Sequence, residues 1–580
     1  MNGGDLVAKA LQAHGVEHVY TLCGGHISPI LVGCKQLGIE IVDVRHEVDA
    51  VFAADAEARI TGRPGVAAVT AGPGATNTIT AIKNAQLAQS PVVLIGGAAA
   101  TILRGRGSLQ DIDQLALFEP HVKWAASAEK VRELPGMVET AMRVAAAGVP
   151  GPVFIECPVD LLYGEEIVRK WYGESGGGGL KGWVVGRYLG RHVDRLFKGA
   201  QEAVINPSPQ LPEVEAGDAR KVRKAASRLA SAKRPLLVVG SQALIRGGLD
   251  GGAAADRLAT AIRQLAVPVY LAGSARGLLG RDDPLQLRHR RRKAIKQADV
   301  VILAGFPADF RLDYGRQIRR GATLVGANLD GEELNLNRRP DIAVEGDPAS
   351  FLLALAGRRR HKAERWQGWL EELKASDRER EDEIAAMARQ ETSGVNPVDL
   401  CRQIEAVAAD DSVLVVDGGD FVATAAYTVR PRGPLRWLDP GAFGTLGVGG
   451  GFALGARMCR PGAEIWLIYG DGSAAYSLAE IDTFVRHGVS VIAVIGNDAG
   501  WTQIAREQVP ILGDDVATVL AKTDYHRVAE GYGGRGLLLD RPEAIPEVLR
   551  QAQEIAAGGE PVVINAHIGP TDFRKGSISI

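Results

Sequence analysis

Glu464-Ile465-Trp466-Leu467-Ile468-Tyr469-Gly470-Asp471-Gly472-Ser473 is the stretch whose reading decides the fold. An apolar run that breaks at a Gly-Asp-Gly turn reads as a buried parallel strand. Residues 474–487 read as a crossover helix, and a second apolar run closes on Gly496-Asn497-Asp498. Two parallel strands joined by one crossover bring Asp471 and Asn497 to the same edge of one sheet. Hard oxygen ligands at that edge suit Mg²⁺, which takes few protein ligands and completes its shell with phosphate oxygens. The glycines flanking Asp471 let the backbone approach a diphosphate, and the following helix turns its positive end towards it. The stretch reads as a metal-diphosphate site.

The composition of the whole chain is that of an ordinary globular protein. Its 580 residues suffice for roughly two to four domains. An apolar content of 46%, a charged content of 23% and a net charge of −2 argue against a general nucleic-acid or membrane-surface binder. The five cysteines (Cys23, Cys34, Cys157, Cys401, Cys459) are scattered without a CxxC pair, as in a reducing compartment. The opening residues lack a basic stretch followed by an apolar core, and the apolar stretch near 91–103 contains glycines, so neither a signal peptide nor a membrane span is expected. A cytoplasmic protein is the expectation.

Short apolar runs at 16–22, 39–44, 66–70 and 91–95 alternate with helical stretches and end in Gly-rich or polar turns, giving an α/β unit over 1–165. Residues 166–220 are irregular in composition, with Gly176-Gly177-Gly178-Gly179 and Pro207-Ser208-Pro209, and read as a linker or insert holding a basic helix. A second α/β unit covers 221–355, a charged helical linker 356–394, and a third α/β unit with a C-terminal tail 395–580.

The Gly-Asp-Gly-Ser turn, the gap behind it and the Asn-containing turn resemble the cofactor signature of thiamine-diphosphate enzymes related to acetolactate synthase. The resemblance spans nearly the whole chain apart from 166–220. It implies three doubly wound parallel-sheet α/β domains (pyrimidine-binding, central and diphosphate-binding) with thiamine diphosphate and Mg²⁺ as cofactors. Because the two cofactor motifs lie on different domains, it also implies a homodimer with shared active sites, assembling to a homotetramer.

The resemblance assigns the site residue by residue. Arg45-His46-Glu47 ahead of a small-residue helix places Glu47 as the partly desolvated acid that activates the pyrimidine. Ala71-Gly72-Pro73-Gly74-Ala75-Thr76-Asn77 resembles the glycine-rich turn beside that ring, with Gly72, Gly74 and Asn77 as cofactor contacts. Leu109-Gln110-Asp111 brings Gln110 to the substrate, and Cys23-Gly24-Gly25-His26 puts His26 in the first strand-to-helix turn, a pattern similar to benzaldehyde lyase. A His and a Gln converging on the reactive carbon suit proton transfer with a substrate hydroxyl. In the third unit Gly444 and Leu446 would bend the cofactor, and Gly418, Gly419, Asp420, Gly472 and Ser473 would lie along the diphosphate. The run Gly447–Gly451 lacks the preceding strand of a dinucleotide loop. Asp471 is the first metal ligand. A one-residue gap makes Asn497 and the Ala499 carbonyl the others, which is preferred because a second carboxylate adds negative charge. The ungapped register makes them Asp498 and the Gly500 carbonyl.

Segments 45–55, 105–114 and 497–508 resemble the 2-hydroxyacyl-CoA lyase branch. That implies cleavage of 2-hydroxyacyl-CoA to formyl-CoA and a shortened aldehyde, or condensation of formyl-CoA with an aldehyde or ketone in reverse. Acetolactate synthase, a 2-hydroxy-ketone lyase and a catalytically silent scaffold are the alternatives. Candidate cations for CoA phosphates are Arg288 and Arg290 in the basic run 288–293, Arg311, and Arg574 in a tail able to fold over the site.

Overall fold

Aliphatic runs bounded by turn residues form strands buried on both faces, as parallel sheets require. The structure is a computed structural model that describes residues 2–173, 179–207, 210–213, 217–358 and 363–575. It holds three six-stranded sheets, with every strand pairing within them parallel. These are the three α/β layers expected.

The chain divides into two compact units, Met1–Ala58 with Pro64–Glu213, and Arg59–Arg63 with Val214–Ile580. In the first, the central strands are His18–Leu22, Gly65–Val69, Val92–Ala98 and Val153–Pro158. Helices Gly3–Ala13 and Leu134–Ala146 cover one face with Leu6, Val7, Leu11, Val138 and Met142. The stretch read as an irregular insert is largely helical where described, over Glu165–Gly173 and Gly179–Phe197. Val168, Tyr172, Leu189, Val193, Leu196 and Phe197 from these helices join the first unit's core. Their near four-residue spacing makes one apolar stripe, which a basic composition obscures. Gly176-Gly177-Gly178 and Ser208-Pro209, used to read that stretch as irregular, lie outside the described residues, as do 576–580 of the tail.

The second unit holds the other two sheets. One centres on Pro235–Val239, Val300–Ala304 and Thr323–Asn328; the other orders Trp437–Leu438, Val413–Asp417, Ile465–Gly470, Ile492–Asn497, Val562–His567 and Arg535–Leu539. Helix Gln367–Ala388 runs between them in sequence and buries Trp369, Leu370, Leu373 and Ile384. The expected single crossover over 474–487 is two helices, Asp471–Ser477 and Glu480–Arg486. The break follows from close packing. The Gly450 N–H donates to Ser477 Oγ at 3.1 Å, and a Cβ on Gly450 would lie 2.8 Å from Ser477 Cβ and 3.0 Å from Glu480 Cγ.

Candidate active site

In the first unit the residues expected at the pyrimidine form one connected cluster. Glu47 begins helix Glu47–Thr61 and is only 7% exposed. Asn77 Nδ2 donates to its Oε2 at 3.0 Å. A Cβ on Gly74 would sit 2.8 Å from Thr70 Cγ2 and 3.6 Å from Glu47 Oε1, so the turn closes onto the carboxyl. Thr70 was not singled out from sequence, yet it links the parts, since its Oγ1 lies 3.2 Å from His26 Nδ1. Burial pushes the His26 imidazole below its ordinary range, favouring the neutral base. His26 packs on Gly97, where a Cβ would approach its own Cβ to 2.5 Å. Gly72 in turn touches Gln110: a Cβ there would meet the Gln110 carbonyl and Cβ at 2.9 Å.

In the second unit the C-terminal ends of three adjacent parallel strands carry Asp417, Asp471 and Asn497. Asp471 is 2% exposed, and its Oδ1 and Oδ2 accept from the N–H groups of Gly472 at 2.9 Å and Gly500 at 3.1 Å. Burial, then the negative charge of Asp498, raise its carboxyl to about 6 against the opposing N–H groups. Asp498 is raised too, first by burial and also by Asp420, while the Thr502 hydroxyl donates to its Oδ2 at 2.5 Å. Buried Asp471 and half-buried Asp498 thus both hold their protons more tightly than free carboxyls, Asp471 in part through the charge of Asp498, and added positive charge would relieve them. No group of three or more His, Cys, Asp or Glu suited to a metal exists among the described residues.

Asn497, the residue preferred from sequence as the second ligand, is engaged within the protein. Its side chain is fully buried, with Nδ2 donating to the Thr523 carbonyl and to Asn565 Oδ1, both at 3.0 Å. Its Oδ1 accepts from the Ala499 N–H at 3.2 Å. The Ala499 carbonyl accepts from the Leu520 N–H at 2.8 Å. The carboxylate beside Asp471 belongs to Asp498, so the added negative charge that counted against it is present.

Gly418 adopts φ +125°, and a Cβ there would lie 2.5 Å from Ser473 Oγ, so the two glycine turns touch. Ser473 Oγ donates to the Asp417 carbonyl at 2.7 Å. A Cβ on Gly419 would come 2.9 Å from Gln503 Oε1, and one on Gly472 would strike the Trp501 ring at 2.5 Å. A side chain at these positions would meet a neighbouring side chain, so the glycines let the backbone of the two turns run close together. Asp420 starts the next helix with its carboxylate paired to Arg506 and, at 3.8 Å, to Arg574. Gly444 has φ +66° and open space where a Cβ would stand, and Leu446 is half-buried behind it. That loop is held by Asp417, a residue sequence reasoning passed over: its carboxylate accepts from Gly447 N–H at 3.1 Å and Gly449 N–H at 2.8 Å. Burial raises Asp417 to about 7 despite these donors. Its signal was the acid closing an apolar run before Gly418-Gly419.

The cations considered for CoA are engaged within the protein. Arg288 pairs with Glu381 at 2.7 Å, and Arg290 with Glu379 and Glu383 at 2.5 Å, all on helix Gln367–Ala388. Arg311 is held by its neighbour Asp309 at 2.6 Å. Of the four, Arg574 alone pairs with a residue of the glycine turns, Asp420.

Comparison with known families decides the assignment. Residues 1–117 match the family described as thiamine pyrophosphate enzyme, N-terminal TPP binding domain. Residues 222–355 match its central domain and 417–566 its C-terminal TPP binding domain. The chain belongs to the thiamine pyrophosphate enzymes. This thiamine pyrophosphate enzyme is 51% identical over 591 residues to 2-hydroxyacyl-CoA lyase 2 of Homo sapiens, covering 100% of this chain and 92% of the relative. Identity to the Mus musculus protein of the same name is 52% over 589 residues, with the same coverage. It is 34% identical over 574 residues to acetolactate synthase large subunit IlvG of Mycobacterium tuberculosis, covering 98% of this chain and 96% of that one. No helix among the described residues is long and apolar enough to cross a membrane.

Proposed function

We propose that this enzyme is a thiamine-diphosphate-dependent 2-hydroxyacyl-CoA lyase, breaking the bond between the hydroxyl-bearing carbon and the thioester carbon. The products are an aldehyde one carbon shorter and formyl-CoA; the reverse reaction joins formyl-CoA to an aldehyde or ketone. The observation that carries this reading is the 51% identity to 2-hydroxyacyl-CoA lyase 2 over the full chain. The joined cluster of Glu47, Thr70, His26 and Gln110 supports it chemically.

Bound thiamine diphosphate supplies a carbon nucleophile that can make or break a bond next to a carbonyl. Glu47 presents its carboxyl at the pyrimidine end, with Oε2 occupied by Asn77 and Oε1 turned to Gly74. His26, kept neutral by burial, takes the proton of the substrate hydroxyl as the aldehyde forms and returns it in the reverse direction. Gln110 orients that hydroxyl. The carboxylates of Asp471 and Asp498 with the Gly500 carbonyl would hold Mg²⁺, and Asp417 keeps Gly444 and Leu446 in place. The assembly this reading calls for is a homodimer with shared active sites, going on to a homotetramer. A monomer with full turnover at high dilution would rule that assembly out.

Incubation with a 2-hydroxyacyl-CoA, thiamine diphosphate and Mg²⁺, followed by mass spectrometry, should reveal formyl-CoA and the shortened aldehyde. A faster conversion of pyruvate to acetolactate would replace this reading with the synthase.

A further inference from the structure

Gln110 stands in a backbone conformation that a glutamine avoids. Its φ is +63°, opposite Gly72 at +62°, in the left-handed region where the Cβ of a non-glycine residue crowds the following carbonyl. Such strain persists only where the surroundings over-determine it. Its surroundings here centre on one buried amide. Gln114 Oε1 accepts from the Gly72 N–H at 3.0 Å, and its Nε2 donates to the Gly97 carbonyl at 3.0 Å and to Glu156 Oε1 at 2.9 Å. Glu156 Oε2 pairs with Arg104 Nη2 at 2.6 Å, and the same nitrogen donates to Ser127 Oγ at 2.8 Å. Gln114 is 2% and Glu156 5% exposed. One side chain thus ties the glycine turn against Gln110, the strand end against His26, and the end of strand Val153–Pro158. The loop leading to Gln110 is anchored at its start as well: Asp160 accepts from the Thr101 N–H at 3.0 Å and its hydroxyl at 2.6 Å.

We propose that Gln114, Glu156 and Arg104 are positioning residues that hold the backbone of Gln110 against Gly72 and thereby aim its side chain at the substrate hydroxyl. The proposal rests on the reading of Gln110 as substrate-facing. The role requires a neutral amide, which donates and accepts at once. A carboxylate at position 114 would face Glu156 in a site with little water, and the pair would keep its bridge only while sharing a proton.

The test compares pH profiles and loop accessibility. Gln114→Glu should have close to wild-type kcat at the acid end of the profile and lose roughly 10- to 100-fold as pH rises, with KM changing little; the wild type lacks that added ionisation. Arg104→Met should lower kcat, and Arg104→Lys should restore most of it, in folded protein since Arg104 is only half-buried. Independently of activity, trypsin should cut the 103–107 loop of Gln114→Met, at Arg106, several-fold faster than in wild type. Parallel pH profiles with unchanged cleavage would overturn the proposal. If the wild type cleaves no 2-hydroxyacyl-CoA, the proposed function falls, while the trypsin comparison still decides the positioning role.

Discussion

Asn77 Nδ2 donates to Glu47 Oε2 at 3.0 Å and so occupies one oxygen of a buried carboxyl, with Oε1 on the side of Gly74. A single acid-to-ring contact is what proton exchange with an aminopyrimidine needs. Glu47→Gln keeps the shape and removes the proton, so thiamine-dependent turnover should fall by about 10²- to 10⁴-fold. Circular dichroism and melting temperature should stay close to wild type. Turnover above a tenth of the wild-type rate would remove Glu47 from the chemistry.

The pairing of Asp471 with Asp498 makes metal dependence a function of pH. Asp471 rises from an ordinary 3.8 to about 6 in the folded, metal-free chain. Its folded pKa lies above the unfolded one, so its contribution to stability is complete below the lower value and lost as pH climbs through about 6. Mg²⁺ with thiamine diphosphate should therefore raise the melting temperature far more at pH 8 than at pH 5. Asp471→Asn should abolish that gain and stabilise the metal-free protein at pH 8 by about 3 kcal/mol. A metal-induced shift that is flat with pH, or intact in the variant, contradicts the pairing.

Asp417 holds the N–H groups of Gly447 and Gly449 that begin helix Gly449–Cys459. Asp417→Ala leaves both buried without an acceptor, which should cost about 2–4 kcal/mol in denaturant unfolding. Cofactor affinity should drop with it, because the loop of Gly444 and Leu446 loses its anchor. Asp417→Asn retains an acceptor oxygen and should lose less of both. Calorimetric titration with thiamine diphosphate and Mg²⁺ separates the two variants, and equal affinities in them would show the loop to be held by something else.

Arg288 and Arg290 are bound to Glu381, Glu379 and Glu383 rather than to an open surface. Arg288 also donates to the Tyr427 carbonyl at 2.7 Å. Arg288→Ala should destabilise the fold, whereas Arg290→Ala, at a more exposed pair, should cost no more than about 1 kcal/mol. Neither should change KM for an acyl-CoA more than about twofold, or roughly 0.4 kcal/mol. A tenfold rise in KM for Arg290→Ala at unchanged melting temperature would return that arginine to the CoA site.

Much of this protein was readable from its residues alone. The aliphatic runs that end in glycine turns become parallel strands, since only a sheet buried on both faces tolerates such composition. Gly-Asp-Gly-Ser and the Arg45-His46-Glu47 run could be read as the two ends of a cofactor site, because close backbone approach and a shielded acid leave local traces. The tertiary structure decided the rest. Asn497 ends strand Ile492–Asn497 and turns to Asn565 on the neighbouring strand, while Asp498 lies beside Asp471. Asp417, Gln114 and Glu156 act on residues remote in sequence, and the basic run near 290 is neutralised by a helix that follows much later. A chain's local pattern reports how each segment meets water and its own backbone. Which side chains meet one another, and so which charges are paired and which acids are forced together, is set by packing between segments that sequence spacing does not encode.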